Sequence, residues 1–276
     1  MGKGERDGAN AYSNKHPVAL NTTYALIKDL GNFDMVLHRG DMSYANGYIS
    51  QWDQFLAQME PITSKVPYMV ARYSTDYGMF HFCVADAEHD WRIGTEQYAF
   101  IERYLASANR HKQTWLIFAA HRVLGYSSNK WYGLEGSFEE PMGREHLQRL
   151  WQKYKVDIAI FGHVHNYERV CPIYQNQCVN GEKSHYSGTV NGTIHIVAGG
   201  GGSHFSPFTE MDTVWSIHKD HDFGFVKLTA FNQSSLLMEY KKSSDGEVYD
   251  SFTITREYRD VLACVHDGYE PTTLAD

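Results

Sequence analysis

The chain of 276 residues has 42% hydrophobic residues and a formal net charge of −8, enough for one large domain or two small ones around a sizeable core. That charge, with no cluster of Lys or Arg, argues against a nucleic-acid surface, and no apolar run approaches the length of a membrane span. Four cysteines are too few for a disulfide scaffold.

Residues 1–17 read as a polar, Gly-rich loop that opens without an apolar signal segment. Thr22 to Leu30 has helical spacing, with Gly31 as its stop, and Phe33 to Leu37 is a short apolar strand. The strand runs into His38-Arg39-Gly40-Asp41-Met42-Ser43-Tyr44. A helix is expected from Ser50, with Asp53 three residues on, to about Glu60. Val66 to Ala71 and Tyr77 to Ala85 read as strands, and Thr95 to about Ala108 as a helix. Cys83, within the second of those strands, reads as a buried free thiol.

Thr114 to Ala120 is a further strand ending at His121, and Arg144 to Tyr154 a helix. The apolar run Val156 to Ile160 has the character of a buried parallel strand, and it leads into Phe161-Gly162-His163-Val164-His165. In an extended segment His163 and His165 would face opposite ways; in a loop leaving a strand they can turn toward two neighbouring metal ions. Thr193 to Ala198 is a strand closed by Gly199 to Gly202, which reads as a turn because no Lys-Ser/Thr follows. Strands at Phe223 to Phe231, Leu236 to Tyr240 and Val248 to Thr255 complete a β-rich end. Alternating strands and helices followed by this end imply a mostly parallel sheet with a second sheet packed on it. Asp41, Tyr44, His121, His163 and His165 all follow the ends of apolar strands. In such folds those ends share one edge, where sites are built.

The blocks Gly40-Asp41-Met42-Ser43-Tyr44, Ala119-Ala120-His121 and Gly162-His163-Val164-His165 resemble, in order, those of the metallophosphoesterases, and Tyr44 singles out the purple acid phosphatases. Asn166-Tyr167-Glu168-Arg169 and the C-terminal third resemble the large plant members. The resemblance implies a four-layer αββα sandwich of the α/β class. It divides the chain into a partial catalytic core (1–189), a β-rich part of the same domain (190–256) and a tail (257–276). It also implies a two-metal hydrolase acting on small phosphorylated substrates. Fe(III) would be held by Tyr44 and His165, a divalent Zn, Mn or Fe by His121 and His163, and Asp41 would bridge them. His163 would also meet the substrate. Two such ions clamp a phosphate and activate water. The residue types fit independently, since a hard trivalent ion prefers carboxylate and phenolate while imidazole suits zinc.

Three of the family's five blocks are present. Met1-Gly2 looks like the end of the first block without its ligand Asp, and Ala71 runs directly into Arg72-Tyr73-Ser74 where the family places Gly-Asn-His-Glu/Asp. A skipped exon and a downstream start would account for both. Each metal then lacks one protein ligand, and Arg72 is expected to bring an opposing cation near the site. The fold is expected to be incomplete at the N-terminus and after residue 71, with activity weak or lost. The alternatives are an inactive metal-binding or regulatory form, or a nucleotide pyrophosphatase/phosphodiesterase.

Sequons at Asn21, Asn191 and Asn232, with a Cys171–Cys178 pair able to close a short loop, tilt toward a secretory history, the family's usual destination. With no apolar signal segment at Met1, either a signal lies upstream or this form stays inside the cell. Arg39-Gly40-Asp41 spells an integrin-binding tripeptide, but the strand context already accounts for Asp41; Arg39 itself stands where an apolar residue is expected. Asn129, Tyr132 and Glu135 either line a substrate pocket or belong to a solvated loop. His16, His111, His185 and His266 fall outside every block and read as surface residues.

Overall fold

The computed structural model describes residues 20–45, 47–129, 143–202, 204–208 and 213–266. In chain order these give α1 (Asn21–Lys28), β1 (Val36–Leu37), α2 (Ile49–Thr63), β2 (Tyr68–Met69), β3 (Tyr73–Tyr77), β4 (Phe80–Ala85), α3 (Glu96–Ala106), β5 (Trp115–Ala120), α4 (Arg144–Lys153) and β6 (Ile158–Phe161). The remainder is β7 (Tyr167–Tyr174), β8 (Gln177–Cys178), β9 (His185–Ser187), β10 (Thr193–Ala198), β11 (Ser216–Asp220), β12 (Gly224–Asn232), β13 (Ser235–Lys242), β14 (Val248–Thr255) and α5 (Tyr258–His266).

The apolar runs of β5 and β6, and those of β4 and β10 broken only by the buried His81 and by Thr193 and His195, are what strands covered on both faces require, and these four pair in parallel at the centre of an eight-stranded sheet. Antiparallel strands flank them, β3 on one side and β7, β11 and β8 on the other. One face of this sheet packs on α3 and α4. Ile101 and Leu105 of α3 and Leu147, Leu150 and Trp151 of α4 meet Leu116, Phe118 and Phe161. The spacings i, i+4 and i, i+3, i+4 explain why these residues share a helix face. Thr95 caps α3, its side chain accepting from the Tyr98 N–H.

The other face packs on a second sheet of order β12-β13-β14-β9. Strict alternation turns Leu236, Met238 and Tyr240 of β13 and Phe252 and Ile254 of β14 inward onto Ile117, Ile158 and Ile196. Beyond it α1 and α2 pack with Val36 and against Phe225 of β12, and Lys241 reaches Asp29 at 3.0 Å. The layers therefore run helix, sheet, sheet, helix. Cys171 and Cys178 form a disulfide across the β7–β8 hairpin, whose two turn residues Gln175 and Asn176 have φ of 49° and 64°. Cys83 is a buried free thiol.

Several expected boundaries move. The second helix starts at Ile49 and runs through Pro61 to Thr63, because a proline in the last turn forfeits only one helical hydrogen bond. The segment Tyr73 to Ala85 is a hairpin turning at Gly78-Met79, not a single strand from Tyr77. The expected strand Val66 to Ala71 contracts to Tyr68–Met69, which pairs with β1 in a two-stranded sheet apart from the eight-stranded one. Ala71 bends away with φ of 69°.

Candidate metal centre

Three loops carry the donors: the one after β1 with Asp41 and Tyr44, the one after β5 with His121, and the one after β6 with His163 and His165. Their backbones are bent to aim inward. Asp41, Ser43, Tyr44 and His163 have φ of 54°, 63°, 46° and 60°, a region costly for residues with a Cβ and concentrated where function demands it. Gly40 has φ of 133°, and a Cβ there would lie 2.5 Å from His121 Nδ1, so only glycine lets the His121 ring cover this loop. Gly199 serves the histidine loop in the same way, since a Cβ there would stand 2.1 Å from the Val164 carbonyl oxygen.

Asp41 divides its carboxylate between two groups of donors. Its Oδ1 lies 3.3 Å from His121 Nε2, which lies 3.2 Å from His163 Nδ1. Its Oδ2 accepts from the Tyr44 hydroxyl at 2.5 Å and lies 3.5 Å from His165 Nε2, itself 3.1 Å from the Tyr44 oxygen. The left-handed turn at His163 is what sends the two histidines to different groups. His165 Nδ1–H donates to the His204 carbonyl at 2.7 Å, which leaves the Nε2 lone pair facing the centre. The His165 N–H donates to Ser206 Oγ at 3.1 Å, fixing the ring further.

Burial alone would raise the Asp41 carboxyl, but the adjoining His121 and His165 rings and the Tyr44 hydroxyl outweigh it and hold the group far below the usual carboxylate range. Burial, with His121 alongside, pushes His163 down to about 4 and keeps it neutral, the form that donates to a metal. A carboxylate, a phenol and three imidazoles converging at such separations form a donor set that fits two small cations sharing Asp41. A cavity of about 480 Å³ opens beside Asp41, Tyr44, His121 and His163.

The other residues singled out in the sequence separate. Arg39, with no role in the sequence, donates to the carbonyls of Ala71 and Ala85, both at 3.1 Å, and ties the ends of β2 and β4 together. Arg72 does not approach the centre, against expectation. It bonds Gln97 at 2.9 Å and lies over the Phe100 ring, because α3 offers it an acceptor and an aromatic face. Asn129 is neither in the cavity nor solvated; it is buried at 6% exposure, and its N–H donates to Ser127 Oγ, while buried Glu168 accepts from Ser127 and Ser128. Tyr132, Glu135, His16 and the side chain of His266 lie outside the described residues, and His111 and His185 are exposed. The two residues that orient His165, His204 and Ser206, carry no sequence signal beyond following the glycine run.

A family model described as calcineurin-like phosphoesterase matches residues 68–167, and one described as iron/zinc purple acid phosphatase-like protein C matches residues 192–251. A nucleotide pyrophosphatase/phosphodiesterase of Hordeum vulgare is 60% identical, with all of this chain and 86% of that relative covered. The chain belongs to the purple acid phosphatases. A probable inactive purple acid phosphatase of Arabidopsis thaliana is 63% identical over the whole of this chain and 52% of its own length. The solved structure of a purple acid phosphatase from yellow lupin (Lupinus luteus) seeds superposes with a TM-score of 0.91 at 59% identity, covering 100% of this chain and 56% of that one. The purple acid phosphatase fold is thus the fold of this chain, which spans about half the length of the first curated relatives it matches. Those alignments run over 317 positions against 276 residues here, so at least 317 − 276 = 41 positions of the relatives have no counterpart in this chain. No helix among the described residues is long and apolar enough to cross a membrane.

Proposed function

We propose that the chain retains a phosphoesterase-type metal site for small phosphate monoesters and turns them over far more slowly than a complete centre would. The observation that carries this reading is the division of Asp41, with one oxygen toward His121 and the other toward Tyr44 and His165. Tyr44 and His165 would hold Fe(III), and His121 and His163 a divalent Zn, Mn or Fe ion; a pair of such ions, when bound, polarises a phosphate ester and activates water. The protein's own part is to hold His165 in one tautomer through the His204 carbonyl, keep His163 neutral and present it at the cavity as the substrate-side imidazole.

Slow turnover follows from the donor count. Each half-site has three protein donors including the shared Asp41, and loss even of an outer partner costs about 10–100-fold in affinity or activity. The names of two relatives, each a probable inactive purple acid phosphatase, agree with this. The pyrophosphatase/phosphodiesterase named in Hordeum vulgare leaves phosphodiesters as the second substrate class. A secretory destination is favoured by the exposed side chains of Asn191 and Asn232 and by a disulfide that persists in an oxidising compartment.

Elemental mass spectrometry of folded protein purified without added metal, with p-nitrophenyl phosphate hydrolysis on the same sample, tests the reading. Fewer than two metals per chain and slow hydrolysis are expected. Two metals including iron, with turnover typical of an efficient enzyme, would overturn it.

A further inference from the structure

At the strand ends opposite the metal donors, the two sheets close over a charged cluster. Asp157, just before β6, accepts from Arg256 Nη1 on one oxygen. Its other oxygen accepts from the Leu116 N–H at 2.8 Å and from Arg110 Nη2 at 3.4 Å. Arg110 and Arg256 are 2% and 7% exposed, and Lys155, also 7% exposed, donates to Asn191 Oδ1 at 3.1 Å. Arg110, Arg256 and Lys155 thus stand around one carboxylate, and a buried surplus of positive charge is costly without a further counter-charge. Burial pushes the Arg110 guanidinium down to about 10, with Asp157 pulling it up and Arg256 pressing it lower.

Beside this cluster lies a cavity of about 10 Å³, room for one water-sized particle, lined by Lys155, Asp157, Thr189 and Arg256 and by the apolar Val190 and Ile254. What the cluster leaves over is donors. The Arg256 Nε–H and the Thr189 hydroxyl, both buried, have no hydrogen-bond partner, and neither do Arg110 Nε and Nη1. The neighbouring acceptors are engaged: the Val156 carbonyl accepts from Thr193 Oγ1 and the Asp157 carbonyl from the Ile194 N–H. The Lys155 carbonyl accepts from Arg110, and the Thr114 carbonyl from Arg256. A water has two hydrogens of its own to place on acceptors, whereas a monatomic anion asks only for donors and positive charge.

We propose that this cavity is a binding site for one monatomic anion, chloride in water and bromide in its place, held by the Arg256 Nε–H and the Thr189 hydroxyl. The anion offsets the cationic surplus and fastens the connection between β9 and β10, which carries Thr189, to Arg256 at the end of β14. The site is too small for phosphate or a carboxylate such as gluconate, and it lies at the far end of the strands from Asp41. It therefore stands apart from the catalytic reading, and its test uses the whole chain without added metal.

Thermal unfolding midpoints are measured at constant ionic strength while sodium gluconate is replaced stepwise by sodium chloride or sodium bromide. The midpoint should rise with either halide and level off, as it does when a ligand fills one site in the folded chain only. In Thr189→Val, which keeps the side-chain shape and removes the hydroxyl, the halide concentration at half the rise should increase roughly tenfold. Crystals of the unaltered protein grown in bromide should give an anomalous peak in contact with Arg256 Nε and Thr189 Oγ1. Equal midpoints in gluconate and chloride would overturn the proposal, and so would a rise that never saturates, the mark of general salt effects. A bromide crystal with only a water in this cavity would overturn it as well, whether or not the variant folds. Unaltered half-saturation in a folded Thr189→Val chain would place the anion elsewhere.

Discussion

At the scale of single residues, the centre depends as much on two glycines as on its donors. Gly40 lets the loop carrying Asp41 pass against His121, and Gly199 lets the segment after β10 pass against Val164 in the histidine loop, at distances where a Cβ would stand 2.5 Å and 2.1 Å from its neighbour. Gly40→Ala is therefore expected to displace His121, costing about 1–3 kcal/mol of stability for the strained backbone alone. It should also weaken zinc binding more than tenfold. Urea denaturation and zinc titration calorimetry read the two effects separately. Unchanged zinc affinity would show that the His121 ring does not need this approach. Arg39 illustrates the opposite case, a charged residue at an apolar-looking position, explained once its guanidinium is seen bonded to Ala71 and Ala85.

At the scale of elements, the two sheets are joined by more than apolar contact. Arg169 and Tyr167 of β7 converge on Asp250 of β14, with Arg169 Nε and the Tyr167 hydroxyl both donating at 2.6 Å and Arg169 Nη2 at 2.8 Å. Arg169 and Asp250 are 0% and 2% exposed at their side chains, so removing one partner leaves an uncompensated buried charge. Asp250→Ala is expected to cost about 3–5 kcal/mol, seen as a lower urea midpoint with the slope unchanged. A cost below about 1 kcal/mol would mean that the sandwich is held by Leu236, Met238 and Phe252 alone. Arg256, Asp157 and Arg110 make a second buried ionic cluster at the far end of the strands, where Arg256 also covers the Trp115 ring.

At the scale of the whole molecule, two buried histidines make the fold sensitive to acid. Burial pushes His38 and His195 down to about 3, each from 6.5. His195 is fully enclosed by Tyr126, Trp151 and Phe161. A histidine whose folded pKa is depressed binds its proton more readily in the unfolded chain. Its contribution is therefore present above about 6.5 and lost as the pH falls from there toward about 3. Stability should decline over that window by about 1 kcal/mol per pH unit for each such group. His195→Gln should flatten the curve between pH 6 and 4, roughly the range in which the two states differ most in bound protons. Parallel curves for variant and wild type, from urea midpoints across that range, would show that His195 takes up its proton as readily in the folded chain as in the unfolded one.

Whatever is set by local pattern can be read directly from the order of amino acids. The apolar runs of β4, β5, β6 and β10 announce strands buried on both faces, and the blocks at Asp41, His121 and His163 mark candidate donors at strand ends, because both signals are written in consecutive residues. Whatever depends on distant partners had to wait for packing. Only contact with β4 makes Tyr73–Tyr77 the second arm of a hairpin, and only the pairing of β2 with β1 reduces an expected six-residue strand to Tyr68–Met69. Which way Arg72 turns, which oxygen of Asp41 faces which histidine, and which carbonyl fixes His165 are likewise settled by groups tens of residues away. Periodicity records which face a residue buries; it carries no record of what meets that face.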